Sequence, residues 1–162
     1  MKRIVFALCA AAAACGAASD LVGPVPAGLL SSPQVVVANG APVMMSDIRV
    51  SNDGRTGVGV LALLKTTNGT NPSGVSAGRV WLIHDGLAWR AQTSPVTEPL
   101  TQVVGAIEEF VAGGGPAWPA GDSVDVVVEV RDLSGPTQLV RGPRQVINPA
   151  DPVSLNFVTN DN

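Results

Sequence analysis

One stretch of the sequence matches a motif of nucleophilic catalysis. Residues 74–78 read Gly-Val-Ser-Ala-Gly, the G-x-S-x-G spacing in which a serine nucleophile sits on a sharp turn between a strand and a helix. The chemistry also needs a downstream histidine as base, and the only histidine of the chain is His84. Here the motif lies in a polar loop that leads into a strand. We therefore expect Ser76 to be a loop residue and not a nucleophile.

His84 has no clear catalytic or metal-binding partner in the sequence. It precedes Asp85, but adjacent residues on a strand point to opposite faces, so we do not expect their side chains to pair. A zinc site needs about four nitrogen, sulfur or oxygen ligands, and no cysteine follows Cys15. We predict that His84 is a surface residue at a hairpin end.

The carboxylates form two local pairs, Glu108 with Glu109 and Asp122 with Asp125. Calcium needs several converging oxygen ligands, and neither pair has the spacing of an EF-hand loop. Solvated strand ends are the simpler interpretation. We predict no catalytic residue, no metal and no cofactor, and hence a protein that is not an enzyme.

Three tryptophans offer a different chemistry, because exposed and coplanar indole rings can stack on sugars. Trp81 and Trp118 would have to form such a platform, which would make the chain a carbohydrate-binding module. The alternative for Trp118, between Pro116 and Pro119, is a rigid loop residue that covers the edge of the core.

Asp85-Gly86 is the strongest hairpin signal, because both residues tolerate the positive φ of a two-residue turn. With this turn, Leu82 faces Trp89 across the hairpin and Trp81 faces Arg90. One face then belongs to the core, and it carries Val80, Leu82, Leu87 and Trp89. The other face places Trp81 beside Arg90 as an exposed cation–π pair.

Short runs rich in valine alternate with glycine, proline and asparagine along the rest of the chain, at the spacing of an antiparallel β-sandwich of about eight or nine strands. Residues 57–65 are apolar on both faces and predict a central strand. Residues 122–131 alternate strictly and predict a half-buried strand. Residues 100–112 fit a strand or a short helix, and we favour a strand. The other predicted strands are 34–38, 43–50, 79–85, 87–92, 137–141, 145–147 and 153–158.

The segment Trp118-Pro119-Ala120-Gly121-Asp122, followed by alternating valines, resembles the strand starts of immunoglobulin-like and fibronectin type III-like domains. The resemblance extends over about 110 residues as a pattern. It implies two packed sheets. The chain departs from the family in lacking the Cys-Trp-Cys framework and any tyrosine for a tyrosine corner.

The first 20 residues have the layout of an export signal. Lys2 and Arg3 form a positive start, residues 4–14 are apolar, and small residues surround Cys15. The apolar run is shorter than the roughly 20 residues that cross a bilayer comfortably. Residues 21–33 are rich in proline and glycine and predict an extended tether or a first edge segment. The β-domain then covers residues 34–162.

Ala12-Ala13-Ala14-Cys15 resembles the lipobox of bacterial lipoproteins, although leucine is more usual at the position of Ala12. The resemblance implies that Cys15 is acylated and becomes the new N-terminus. The alternatives are cleavage after Ala17 or Ala18 and retention of the segment as a short membrane helix. Each places the domain on the extracytoplasmic, periplasmic side of a bacterial membrane.

The composition favours contact with proteins over contact with nucleic acid. The net charge of −3 becomes about −5 without Lys2 and Arg3, and the remaining basic residues are scattered. We predict a membrane-tethered structural or accessory subunit of a membrane or envelope complex. Apolar and aromatic side chains with arginine are the usual interface anchors, and the candidates are Leu21, Val22, Leu29, Leu30, Trp81, Arg90 and Trp118.

Overall fold

The computed structural model describes residues 22–97, 103–133 and 135–149, and these residues form an almost purely β structure. The predicted all-β fold is therefore confirmed. A single 3-10 helix, η1 (Leu29–Ser31), is the only helical element among them. The strands are β1 (Val22–Pro24), β2 (Val35–Ala38), β3 (Ala41–Asn52), β4 (Val58–Thr66), β5 (Val75–His84), β6 (Leu87–Gln92), β7 (Ser94–Pro95), β8 (Ala106–Ala112), β9 (Ser123–Asp132), β10 (Gln138–Arg141) and β11 (Gln145–Pro149).

The strands form one open sheet in the order β1-β6-β5-β9-β11-β3-β4-β8-β7. In addition, β10 pairs with β9 and β2 pairs with β3. Every pairing is antiparallel except that of β11 with β3, which is parallel. The sheet is thus mixed, and the prediction of a purely antiparallel arrangement is wrong at this one seam. Strand β11 joins the two halves of the sheet because it pairs with β9 on one side and β3 on the other.

Both halves of the sheet contribute side chains to one hydrophobic core. Val80, Leu82 and Trp89 come from β5 and β6, and Met45 and Phe110 come from β3 and β8; all five are almost fully buried. Burial of this kind stabilises the fold by roughly 1.5–3 kcal/mol for each large apolar side chain. The core holds the loops at the two ends of the strands in fixed relative positions.

The hairpin of β5 and β6 has the predicted turn and register. Asp85 and Gly86 have φ values of 46° and 77°, as a type I′ turn requires, and Leu82 pairs with Trp89. Trp81 lies opposite Arg90, as the register predicts, but its side chain is half-buried and not exposed as predicted, because it packs against the cluster that contains Leu29 and Val127. Leu87 is an exception, since it is 44% exposed although the pattern assigned it to the core. It lies at the start of β6, beside the turn and the short edge strand β1.

Strand β9 is more deeply buried than the predicted half-buried strand. Val127 is fully buried on the face opposite to the main core, and Asp125 is also buried there. A second apolar cluster covers this face, and it includes Leu29 from η1 and Val25. Residues 22–31 of the predicted tether therefore contribute an edge strand and a covering helix to the domain. Their apolar side chains drive this packing.

The ambiguous stretch before residue 112 forms strand β8 from Ala106, as we favoured. The predicted strand at 153–158 lies outside the described residues, and so do Cys15 and Leu21 of the predicted anchor and tether.

The described loops gather at two opposite ends of the domain. We call one the Leu133 end; it comprises residues 39–40, 67–74, 103–105, 133 and 135–137. We call the other the His84 end; it comprises His84 and residues 53–57, 85–86 and 113–122. Strand pairing fixes this division, because Val75 pairs with Asp132 at the first end and Asn52 pairs with Val58 at the second.

Candidate functional site

The serine of the G-x-S-x-G motif and the histidine lie at opposite ends of one strand. Ser76 is the second residue of β5 and pairs with Arg131, whereas His84 is the last residue of β5. Eight residues of extended chain span about 26 Å at ~3.3 Å per residue. His84 therefore cannot accept a proton from Ser76. The motif is the start of a β-strand, as its polar loop context predicted.

His84 instead forms a junction between the hairpin and the loop that precedes β9. Its ring packs on Trp118 with centroids 5.1 Å apart and planes tilted by 49°. Nε2 lies 3.2 Å from the Asp122 carboxylate and 3.5 Å from that of Asp85, so the prediction that His84 and Asp85 do not pair is wrong. The reason is the turn, where Asp85 has a positive φ and leaves the alternation of a regular strand.

The junction has the composition of an acid–base site but the geometry of a structural contact. Nδ1 of His84 lies 3.4 Å from the Ser123 carbonyl oxygen, so both ring nitrogens face oxygen atoms. A neutral imidazole can donate to only one of them. The side chain of His84 is only 15% exposed, and Trp118 covers the ring. The contact ties the loop 113–122 to the end of β5.

Glu108 has a structural role at a bulge in β5. The register of β5 against β9 shifts between Ala77 and Val80, and the Ala77 N–H donates to Glu108 Oε2 at 2.6 Å. Backbone donors released by a bulge need another acceptor. Glu108 lies on β8, in the other half of the sheet, so this hydrogen bond also joins the two halves. Glu109, its neighbour, is buried.

Asp125 also has a structural role, through Arg141. The Arg141 Nη2 group lies 2.7 Å from Asp125 Oδ1, and Nη1 donates to the Leu30 carbonyl oxygen at 2.6 Å. The backbone N–H of Arg141 donates to the Pro33 carbonyl oxygen at 2.9 Å. One arginine therefore fixes η1 and the segment after it onto β9 and β10. The pairs Asp122–Asp125 and Glu108–Glu109 do not act as units.

The carboxylate of Asp53 stabilises the turn between β3 and β4. Oδ2 accepts from the Thr56 hydroxyl at 2.7 Å, and Oδ1 accepts from the backbone N–H groups of Thr56 and Arg55 at 2.6 and 2.8 Å. These hydrogen bonds, that of the Thr56 hydroxyl first, hold the pKa of Asp53 below its ordinary value. Asp53 is a turn residue of the His84 end.

Trp81 and Trp118 do not form a sugar-stacking platform. Trp118 is only 9% exposed and belongs to the main core, which matches its alternative interpretation as a cover for the core edge. Trp81 is half-buried on the other face of the sheet, in the cluster with Leu29 and Val127. The two rings thus lie on different faces of the structure.

The predicted interface residues divide by exposure. Val22 and Leu30 are 47% and 42% exposed, and Arg90 is also exposed. Leu29 is 3% exposed because it is the residue through which η1 packs on the domain. Trp118 is buried as well. Among the members of the set that the structure describes, Val22, Leu30 and Arg90 are the ones exposed to a partner.

Two exposed valines next to the predicted candidate Leu30 were missed by the sequence analysis. Val35 and Val37 of β2 are 43% and 64% exposed on the outer side of that strand, while Val36 faces the core. The Val37 carbonyl oxygen accepts from the Gln138 side chain, and Leu30 is held by Arg141. Leu30, Val35 and Val37 therefore line β10, and we call them the β10 strip. The unbroken valine run of β2 was its signal, since a strand with one wet face usually alternates.

Family models, curated proteins and solved structures gave no match to this chain. Within the described ranges, no group of three or more histidine, cysteine or acidic residues is placed to hold a metal ion. The same residues contain no helix with the length and apolar character needed to cross a membrane.

Proposed function

We propose that this chain is an exported β-domain, tethered to a bacterial membrane on its extracytoplasmic side, without catalytic activity. It acts by protein–protein contact as a structural or accessory subunit of a membrane or cell-envelope complex. The observation that carries the proposal is the N-terminal sequence, with its positive start, apolar run and lipobox-like Cys15. The acyl groups on Cys15 are the proposed anchor.

The strand order supports an immunoglobulin-like fold for this domain. The order β3-β4-β8-β7 on one side of the seam corresponds to A-B-E-D of such domains, and β6-β5-β9-β11 corresponds to C′-C-F-G. This scheme recurs in many cell-surface and periplasmic domains of unrelated function. It fits a binding module, and it does not by itself name a partner.

The state of the polar side chains supports a non-enzymatic role. Ser76 and His84 lie at opposite ends of β5. The His84 ring packs on Trp118, and its Nε2 faces the Asp122 carboxylate. Glu108 and Asp125 each have a structural hydrogen bond. Nucleophilic or acid–base catalysis needs a nucleophile and a base within hydrogen-bond reach.

The β10 strip supports contact with a protein. It is apolar, exposed, and adjacent to the N-terminal segment that carries the proposed tether. Apolar surface of this kind, next to charged residues such as Arg141, is typical of interaction sites.

The test is a pull-down of the full chain, tagged at its C-terminus, from detergent-solubilised native membranes. Partner proteins should be recovered with the unaltered chain and lost about tenfold with the double substitution Val35→Asp and Val37→Asp, because buried carboxylates are costly at an interface. Leu87→Asp is the matched control, since Leu87 is similarly exposed but lies on β6, which pairs with neither β2 nor β10. Recovery of the chain alone, or equal recovery of partners with all three proteins, would contradict the proposal.

A further inference from the structure

The most exposed apolar side chains of the described residues lie together at the Leu133 end. Leu133 is 92% exposed and Val104 is 83% exposed. Each is the tip of a turn between strands, where polar residues are usual. Because these side chains are exposed to water, they lose no packing in the core when they enter a less polar medium.

The loops that carry these tips are fixed to one another. The Leu133 N–H donates to the Gly74 carbonyl oxygen at 3.1 Å, and Thr66 N–H donates to the Gly105 carbonyl oxygen at 2.9 Å. Asn39 links two more loops, because its N–H donates to Asp132 Oδ2 at 2.6 Å and its amide donates to the Ser73 carbonyl oxygen at 2.9 Å. The Leu133 end is thus one preformed surface.

The two ends of the domain differ in charge. No described loop residue of the Leu133 end carries a charge, and the strand residues directly behind carry both signs, with Lys65 and Arg131 against Glu108 and Asp132. In the sequence, Glu98 is the one acidic residue of the undescribed segment 98–102. The His84 end instead carries Asp53, Arg55, Asp85 and Asp122. An uncharged surface with apolar tips suits the interface of a bilayer, whereas an acidic surface is repelled by anionic lipids.

The direction of the chain before Val22 also points to the Leu133 end. Strand β1 is antiparallel to β6, so the chain approaches Val22 from the side towards which β6 runs, away from the Asp85-Gly86 turn. Val22 lies level with Trp89 and Leu82, and Leu82 is seven residues along β5 from Val75 at the Leu133 end. This distance is about 23 Å at ~3.3 Å per residue.

The length of the tether matches that distance. Cys15 is seven residues before Val22. Seven residues reach about 25 Å at most, even when fully extended. A fully extended segment therefore brings Cys15 about level with Val75 and the loops of the Leu133 end, and little further.

We propose that the Leu133 end docks on the surface of the lipid bilayer, with Leu133 and Val104 among the headgroups. This inference rests on the proposed tether at Cys15. The His84 end then points away from the membrane, and the β10 strip runs along the side of the domain, where a second protein can reach it.

The test uses single thiols in the full, membrane-processed chain. Processing removes Cys9 with the signal and acylates Cys15, so an introduced cysteine is the only free thiol. Three variants are purified and placed in phosphatidylcholine vesicles: Leu133→Cys at the docking end, Arg55→Cys at the far end, and Arg90→Cys on the exposed side of β6. Each thiol is assayed with a water-soluble maleimide, and a fluorophore on it is assayed for quenching by brominated lipid.

We expect the vesicles to slow maleimide labelling at position 133 about tenfold relative to detergent, and brominated lipid to quench only the label there. Labelling at positions 55 and 90 should be unchanged. Val104→Cys is a second probe of the same end and should behave like Leu133→Cys.

The other outcomes overturn the inference in distinguishable ways. A lipidated chain whose thiols at 133 and 104 react as fast as that at 55 overturns the docking but leaves the proposed function intact. Protection at position 90 instead of 133 shows that the domain lies on its side. A chain recovered without lipid in the soluble fraction overturns the proposed tether and the docking together.

Discussion

At the scale of single residues, several polar side chains of types common in catalytic or metal sites instead stabilise loops through hydrogen bonds. Asp53 is the clearest, because three hydrogen bonds converge on its carboxylate within one turn. The sequence analysis ended one predicted strand at residue 50 and began the next at residue 57, which leaves a connection between them. It did not show that the carboxylate, rather than Asn52, caps the backbone of Arg55 and Thr56.

The lowered pKa of Asp53 predicts a pH dependence of stability. Its folded pKa lies below the unfolded value of about 3.9, so its contribution is complete above that value and is lost as the pH falls through the folded pKa. The unfolding midpoint of the unaltered protein should exceed that of Asp53→Asn near neutral pH, and the two should converge in acid. Denaturant titrations between neutral pH and strong acid measure this difference. A carboxyl signal of Asp53 that titrates at or above the ordinary value in NMR spectra would contradict it.

Arg141 connects η1 and the segment after it to β9 and β10. We expect Arg141→Met to lower the free energy of unfolding by about 1–2 kcal/mol, because Asp125 and the Leu30 carbonyl oxygen lose a charged donor. The loss is smaller than for a fully buried pair, since the Arg141 side chain is 35% exposed. Chemical denaturation measures the change.

Arg144→Met is the control for this substitution, because Arg144 is exposed and lies three residues along the chain. It should change the free energy of unfolding by less than about 0.5 kcal/mol. Equal effects of the two substitutions would show that Arg141 does not fix η1.

At the scale of elements, the segment before Trp118 extends the sheet without being a strand. The Gly115 N–H donates to the Val58 carbonyl oxygen and the Val58 N–H donates to the Pro116 carbonyl oxygen, both at 3.0 Å. A glycine is needed here because the segment lies against Trp89. A Cβ at Gly115 would lie 2.8 Å from the Val58 carbonyl oxygen and 3.1 Å from the Trp89 ring.

Gly115→Ala should therefore destabilise the domain by about 2 kcal/mol, as expected for overpacking against a fixed backbone. Gly23→Ala is the matched control, because a Cβ at Gly23 would have no atom within 4 Å. Thermal unfolding of both variants compares them directly. A Gly115→Ala protein as stable as Gly23→Ala would mean that the loop shifts freely and does not cover the core.

Elements with local signals were predictable from the sequence, and those set by distant contacts were not. The Asp85-Gly86 turn fixes the register of β5 and β6 within a few residues, so the position of Trp81 opposite Arg90 was predicted correctly. The parallel pairing of β11 with β3 joins residues about 100 positions apart, and no local pattern reports it. The burial of Val127 depends on η1 folding back over β9, which is equally distant in the chain.

At the scale of the whole molecule, two ends of different chemistry follow from one sheet. Hairpins place alternate loops at opposite ends, so the uncharged loops and the acidic loops are separated by the length of the strands. The candidate interface was predicted only in part, because the burial of a side chain depends on contacts between distant segments. Val22, Leu30 and Arg90 are exposed, whereas Leu29 and Trp118 are buried by contacts that no single segment could reveal.

The central claim is that the domain is held at a membrane through Cys15. Its most direct test is intact mass spectrometry of the chain extracted from fractionated cells. The account predicts a membrane-bound protein that begins at Cys15 and carries the added mass of acyl chains. A soluble protein that begins after Ala17 or Ala18, with no added mass, would contradict it.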